Sequence, residues 1–354
     1  MPDSSYKPPQ RADTLPTRSF GGFVDTYYAW DFDRPHNFDR AFTTQPARHA
    51  EANVNLAFFE VKWTGPRYRG RLAVQWGTSV QANYASEPHI GGISGPSVSQ
   101  FVQEASVGYQ LTSAVWLDAG IFSSHLGQEG WISRDNLTYT RSLVADYSPY
   151  YEAGVRVTWA TSTKLTSTLV VVNGWQDISN YNTPPAGGVR FDYAVTPSLT
   201  LSYDDFVGNA APDSLPTKLR VYHDAFAQYN PSDRWQFVAD YSLGTQGRST
   251  PFGGTASWWG TSIIAKYHTA PTLAFAGRVE RYSDPDQVIA VTGLPQSFRT
   301  MGASLGIDVS FRPPVLWRTE WRGFHSTDPV WPLHTAGHFG RNDAFIVSSL
   351  ALTF

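Results

Sequence analysis

Apolar and polar side chains alternate with a period of two over most of the chain. In VLWRTEWRGF, for example, Trp317 and Trp321 would share one face, and Arg318, Glu320 and Arg322 would share the other. Strict alternation of this kind is typical of a β-strand with one apolar face and one polar face. The pattern therefore predicts an all-β protein.

The alternation recurs from the first part of the chain to the last residue. Well-defined segments lie at 20–32, 51–63, 69–84, 189–195, 234–243, 298–309, 315–324 and 342–354. We interpret 69–84 as one strand, with Val80 on its apolar face. In 51–63 the apolar residues change from even-numbered to odd-numbered positions between Leu56 and Val61. This change predicts a β-bulge near Phe58 and Phe59.

Short and long connections also alternate. The short ones are GPRY, TSA, TSTK, TPS, NPSD, TAP and RPP, and the long ones lie around 33–50, 85–98, 124–148, 176–187, 208–216, 246–256, 285–297 and 328–341. Short periplasmic turns and longer outer loops are typical of transmembrane barrels with an even number of strands. The pattern predicts an antiparallel β-barrel of about 16 strands.

The last segment, NDAFIVSSLALTF, would close this barrel. An unpaired backbone group has no water partner in hydrocarbon, so no strand edge can face lipid. With both ends on the periplasmic side, the first and last strands can pair, with Leu350, Leu352 and Phe354 facing lipid. We expect the terminal aromatic residue to be recognised by the barrel-assembly machinery.

A soluble β-sandwich or propeller is the alternative. A propeller should show a repeat of blade length, and none is visible. A soluble sandwich would not normally carry Trp, Tyr and Phe on the same face in one strand after another.

The composition helps to distinguish a membrane barrel from other classes of protein. Of 354 residues, 16% are charged and 15% aromatic, the net charge is -3, and no cysteine is present. No run approaches the roughly 18 apolar residues of a membrane-spanning helix. The near-neutral balance argues against a nucleic-acid partner, and thiol chemistry is excluded. Residues 1–19 read as a polar, Pro/Ser-rich tail ahead of a single barrel at 20–354, and we expect a signal peptide to have been removed.

A barrel of this size is too wide for side chains to fill, so we expect a water-filled lumen. Strand parity predicts that its wall carries Arg71, Glu104, Asp118, Glu152, Arg156, Arg190, Asp192, Arg220, Asp224, Arg278, Glu280, Arg318, Glu320 and Arg322. The two signs nearly cancel, which predicts weak charge selectivity. Alternatively, many of these charges pair across strands and serve the scaffold.

The connection 125–148 is long and has no strand pattern, as functional loops often do. Its charged residues are Glu129, Arg134, Asp135, Arg141 and Asp146. We expect it to fold inward as the third outer loop and to narrow the pore, opposite Arg156, Arg190 and Arg220. An extracellular lid or a loop that latches a neighbouring subunit is the alternative.

Aromatic residues predict the membrane boundaries. The girdle would include Trp30, Trp63, Trp76, Trp159, Trp235, Trp258, Trp317, Trp321 and Phe354. A sugar-stacking path would instead need aromatics inside the lumen, where parity places only Tyr27, Trp116, Tyr222 and Tyr282.

Histidines offer little chemistry. His334 and His338 lie four apart in a Gly-containing loop, which is a poor setting for a metal site. Ser123 or Ser124 beside His125 could suggest a lipid hydrolase, but no acidic partner or oxyanion glycines can be assigned. No nucleotide or zinc motif is present, and no cofactor is expected.

Three stretches resemble the OmpL-like outer-membrane β-barrel porin family: TTQPARH (43–49), SRDNLTYTRSL (133–143) and SPYYEAGV (148–155). The resemblance extends over 20–354, although the later strands match only as a pattern. It implies a channel, and it supplies no catalytic residues and little knowledge of substrates.

Together these features predict an outer-membrane porin for passive diffusion of small hydrophilic solutes and ions. Its partners would be membrane lipid, the assembly machinery and, as in general porins, two further copies in a homotrimer. A barrel with a plugged lumen, acting in adhesion or as a scaffold, is the alternative function.

Overall fold

The computed structural model describes residues 16–248, 253–312 and 314–354. The predicted tail lies outside this range except for its last residues, which already belong to the first strand, beginning at Thr17. The predicted loop 246–256 and the turn RPP are also only partly within it. No helix in the described part of the chain is long and apolar enough to cross a membrane.

Strands dominate the fold. In chain order they are β1 (Thr17–Asp31), β2 (Ala52–Thr64), β3 (Tyr68–Trp76), β4 (Val102–Thr112), β5 (Val115–Ser123), β6 (Tyr151–Ala160), β7 (Leu165–Val172), β8 (Ala186–Thr196), β9 (Leu199–Asn209), β10 (Leu219–Ser232), β11 (Trp235–Gly247), β12 (Thr255–Ala270), β13 (Leu273–Asp284), β14 (Phe298–Arg312), β15 (Val315–Ser326), β16 (Trp331–Pro332), β17 (Phe339–Gly340) and β18 (Asn342–Thr353). Strands β16 and β17 form a small hairpin in the last long loop. The other sixteen described strands form a closed antiparallel barrel, as predicted.

The first and last barrel strands close the sheet. Strand β1 pairs with β18 from Phe23–Thr353 to Asp31–Phe345. Beyond them, the amide of Gly22 donates to the carbonyl of Phe354 at 2.9 Å, and the return bond is 3.1 Å. Closure satisfies edge groups that lipid could not solvate.

Side chains on the two faces follow the predicted alternation. On the outside, Met301, Leu305 and Trp321 are 51%, 68% and 42% exposed. On the inside of the same region, Arg278 and Arg322 are buried. An apolar exterior around a polar interior is the arrangement that hydrocarbon requires.

The prediction for the end of β3 was wrong. Residues after Trp76 leave the wall and form a short helix, α1 (Thr78–Tyr84), so Val80 lies inside the barrel. Gly77, with φ 135°, makes the turn, and a Cβ there would lie 2.2 Å from the carbonyl oxygen of Asn55. Glycine alone tolerates both the backbone angle and this close approach.

The bulge in β2 also lies elsewhere than predicted. Asn55 is the extra residue, because Asp25 pairs with Leu56 and Thr26 pairs with Val54. The alternation seemed to change near Phe58 because this apolar residue faces the interior, where it is buried, whereas Phe59 faces outward.

Two apolar clusters occupy the interior of the barrel. One packs Phe58, Val80, Tyr84 and Trp131 together. The larger one contains Tyr27, Phe122, Tyr139, Leu143, Phe206, Tyr222, Trp258, Tyr282, Phe298 and Trp331. Trp258 therefore does not belong to the membrane girdle, and Tyr27, Tyr222 and Tyr282 are packed in this core.

Candidate pore constriction

The segment between β5 and β6 folds into the barrel. It contains a 3₁₀ turn (Ser133–Asp135) and the one-turn helix α3 (Leu143–Asp146), which comes after the short helix α2 (Pro96–Ser99) in chain order. The hydroxyl of Ser142 accepts a hydrogen bond from the amide of Ala145 at 3.2 Å and so caps α3. Short polar caps of this kind satisfy amides that a helix leaves unpaired.

Arginine and glutamate side chains of the opposite wall hold the middle of the segment. Arg278 on β13 donates to the hydroxyl of Thr138 at 2.7 Å and to the carbonyl of Thr140 at 2.6 Å. Glu320 on β15 accepts from the amide of Thr140 at 2.8 Å and from its hydroxyl at 2.7 Å. The segment therefore reaches from β5 and β6 to β13 and β15.

Neighbouring wall residues extend these contacts. Arg318 donates to the carbonyls of Ser133 at 2.6 Å and Leu137 at 2.9 Å. Glu280 accepts from the amide of Leu143 at 2.6 Å and from Arg322 at 2.8 Å. Hydrogen bonds that involve a charged group are stronger than those between neutral groups. These bonds therefore fix the position of the segment against the wall formed by β13 and β15.

The start of the segment is held by β6 and β8. His125 Nδ1 lies 2.8 Å from Glu152 Oε1 on β6, and Arg190 on β8 donates to the carbonyl of Gly127 at 2.8 Å. Burial by itself lowers the pKa of His125, but the charge and hydrogen bond of Glu152 and the carbonyl of Asp205 raise it overall. Both ring nitrogens have a partner, Nδ1 the Glu152 carboxylate and Nε2 the carbonyl of Asp205.

The histidine does not form a hydrolase site with Ser124. Glu152 supplies the acidic neighbour that sequence reasoning could not assign, but the Ser124 hydroxyl donates to Glu152 itself at 3.2 Å. His125 Nε2 lies 2.8 Å from the carbonyl of Asp205 and is not available as a base toward a serine. A general base must reach the proton that it removes.

The predicted constriction charges divide into three groups. Glu129 and Arg141 are buried within the segment and face no open water. Arg134 and Asp135 are exposed on the periplasmic side, where Arg134 bonds the Thr353 hydroxyl. Asp146 faces the outer side of the segment. Any direct role of these five residues in permeation stays a prediction.

The predicted wall residues all lie on the inner face, and most are paired. Arg71 pairs with Glu104, and Arg156 lies 3.6 Å from Asp118. Arg190 pairs with Asp192 at 2.9 Å. Of the other predicted wall residues, Glu152 binds His125, Asp224 is buried, and Arg220 lies near Trp175. The rest form a buried network: Arg278, Glu280, Arg318, Glu320 and Arg322.

Sequence reasoning missed the first outer loop, which also enters the barrel. The side-chain amide of Gln45 donates to the carbonyl of Trp131 at 2.8 Å, and the hydroxyl of Thr44 donates to Asp146 at 2.9 Å. A signal was present, since TTQPARH (43–49) is one of the three stretches that carry the family resemblance. The Thr44 hydroxyl bonds the Tyr150 hydroxyl, and the guanidinium of Arg141 lies over the Tyr150 ring, so the three stretches meet inside the barrel.

A cavity of about 460 Å³ lies on the outer side of the segment. Its wall includes Asp146, Tyr147, Tyr150, Trp175, Asp177 and Arg220. We call it the vestibule. Burial and the charge of Glu87 raise the pKa of Asp177 to about 7.

Of the predicted girdle residues, Trp30, Trp321 and Phe354 are exposed on the outer surface, whereas Trp258 is buried inside. Trp30 lies at the outer end of β1, and Trp317 lies near the start of β15 and donates to the hydroxyl of Ser348 at 2.8 Å. Trp321 lies at mid-strand. The ring of Phe354 covers Gly22, where a Cβ would be only 2.3 Å from it.

Comparison with known proteins agrees with this architecture. The family described as "Putative beta-barrel porin-2, OmpL-like" matches residues 18–354. The chain belongs to this porin family. It is an outer-membrane porin, a channel protein of the bacterial outer membrane.

Solved structures resemble this porin over nearly its whole length. An anion-selective porin from Comamonas acidovorans has a TM-score of 0.61 at 11% identity, covering 96% of this chain and 100% of that one. The outer membrane channel DcaP of Acinetobacter baumannii has a TM-score of 0.63 at 11% identity, covering 97% and 99%. OmpT of Vibrio cholerae, in its trimer form, has a TM-score of 0.57 at 11% identity, covering 96% and 99%. At these identities the likeness is one of fold. A search among curated proteins found no match.

Proposed function

We propose that small hydrophilic solutes and ions cross this porin passively, and that residues 125–148 form the constriction. The observation that carries the proposal is the attachment of this segment to the opposite wall through Arg278, Arg318 and Glu320. A segment held across the lumen sets its width. No reaction and no cofactor enter this function.

Weak charge selectivity follows from the pairing of the wall. Arg71, Arg156 and Arg190 each have a carboxylate neighbour. Strong selectivity needs an unbalanced ring of charge. We therefore expect a modest preference between small anions and cations.

Shortening the segment tests the constriction. Residues 128–146 are replaced by a short Gly-Ser linker, and single-channel conductance is measured in a planar bilayer. Conductance should rise about twofold or more, because pore width limits ion flow. Shortening the exposed outer loop 212–217, which lies outside the lumen, is the matched control and should change nothing.

Two outcomes oppose the proposal. Unchanged conductance of a correctly folded deletion variant would reject the constriction. A wild-type protein that never conducts would favour the plugged scaffold instead.

We also propose that the porin forms a homotrimer through the face around β1, β15 and β18. Thr26, Thr319 and Ser348 place hydroxyl groups on this outer face, beside a shallow groove lined by Tyr28, Leu350 and others. Polar groups are costly against lipid, and a protein neighbour would cover them. Chemical crosslinking in native membranes tests this, and a Ser348→Trp variant should reduce the crosslinked trimer while the barrel still folds.

A further inference from the structure

Charged groups in the vestibule are kept apart. Arg220, Asp146 and Asp177 line the same cavity, yet none of them forms an ion pair in the part of the chain that the structure describes. The other buried or half-buried inward arginines of the described strands each have a carboxylate partner: Arg69, Arg71, Arg156, Arg190, Arg278, Arg318 and Arg322. Arg220 therefore differs from these arginines in having no carboxylate partner among the described residues.

Most of the hydrogen-bonding capacity of Arg220 is unused. Its Nε donates to the side-chain oxygen of Gln246 at 2.8 Å, and its guanidinium carbon lies 5.1 Å from the ring centre of Trp175. Its two terminal nitrogens donate to no described residue. A guanidinium has five donors in a planar fork that fits a carboxylate with two parallel bonds.

The two aspartates offer the opposite charge. Oδ1 of Asp146 accepts from Thr44 and from the Tyr150 hydroxyl, each at 2.9 Å, whereas its buried Oδ2 has no partner among the described residues. Asp177 is also buried beside the cavity. Unpartnered buried carboxylate oxygens are costly unless a cation or donor reaches them.

We propose that the vestibule binds a small zwitterion of the amino-acid or dipeptide class. The carboxylate of the solute binds Arg220, its ammonium group binds Asp146 or Asp177, and its side chain packs against Trp175 and Ile289. The cavity volume of about 460 Å³ suits a ligand of this size. A solute with only negative charge would face two carboxylates, and one with only positive charge would face Arg220.

This inference rests on the proposed function, because a site above the constriction would collect solute before it crosses. Binding can nevertheless be measured without conduction. Saturation-transfer NMR on the purified protein in detergent would use L-phenylalanine, with phenylacetate and phenethylamine as probes that each carry a single charge. L-Phenylalanine should bind about tenfold more tightly than either.

Variants locate the site. Arg220→Gln, and the double change Asp146→Asn with Asp177→Asn, should each lower L-phenylalanine affinity about tenfold. Arg234→Gln and Asp233→Asn change exposed residues in the connection between β10 and β11, away from the cavity, and serve as matched controls. Heat-dependent gel migration confirms that each variant is folded.

Equal binding of the three probes, or unchanged affinity in Arg220→Gln, would overturn the inference. Bilayer recordings separate this failure from failure of the proposed function. Conductance without L-phenylalanine binding would leave the porin function intact and reject the site. Binding without conductance would keep the site and reject passive diffusion.

Discussion

The two sides of the barrel interior use the same residue types differently. On β13 and β15, the side chains of Arg278 and Arg322 are 0% exposed beneath the inward segment. On β6 and β8, those of Arg156 and Arg190 are 24% and 22% exposed, although Arg190 also bonds the start of the segment at Gly127. All four occupy inward strand positions with carboxylate neighbours.

The difference shows that an inward-facing strand position does not by itself reveal whether a charged residue stabilises the fold or acts on permeating ions. A wall charge covered by a loop is a structural anchor, because its bonds are isolated from water and removing one partner leaves the other buried and unpaired. A wall charge beside water is screened, and its pair contributes little to stability. Only the second kind can act directly on passing ions.

The largest effect is expected from the covered wall. Arg278→Met should destabilise the protein by about 3–5 kcal/mol, because Glu280 and Glu320 lose a buried partner. Thermal unfolding in detergent, followed by heat-dependent gel migration, measures the change. Stability equal to wild type would show that this wall does not anchor the segment.

A smaller change in stability is expected from the open wall. Arg156→Gln should cost about 1 kcal/mol or less, because Asp118 keeps its 2.7 Å bond to Arg69. Loss of a half-exposed cation should move reversal potentials toward cation preference. A stability loss as large as that of Arg278→Met would remove the distinction between the two walls.

The smallest effect is expected from pH at the vestibule. Asp177 faces Glu87, Arg220 and Tyr181, and its pKa of about 7 means that it gains charge between pH 6 and 8. Its raised pKa favours the protonated form, so the stability linked to that proton is lost as pH rises through 7. Anion permeability relative to cations should fall modestly over the same range. Asp177→Asn should abolish the shift, and a shift that persists would assign it to another group.

Sequence reasoning succeeded where each residue responds to its immediate surroundings. The turn GPRY and the strand carrying Trp317 and Trp321 could be assigned because apolar side chains must face lipid in every second position. It failed after Trp76, where Gly77 turns the chain inward and α1 packs on Trp131. Inside the barrel, an apolar position such as Val80 also has an apolar partner, so periodicity could not distinguish inside from outside.

The sequence by itself determined the closed antiparallel barrel, its apolar exterior and its short periplasmic turns. These follow from local alternation and from the need to pair every backbone group in hydrocarbon. Only the tertiary structure decided that Arg278 anchors the inward segment, that Arg156 stays partly exposed, and that Arg220 lines the vestibule with Asp177 without an ion pair to any described residue. The reason is that contacts between a loop and a distant wall depend on three-dimensional proximity, which residue spacing along the chain does not encode.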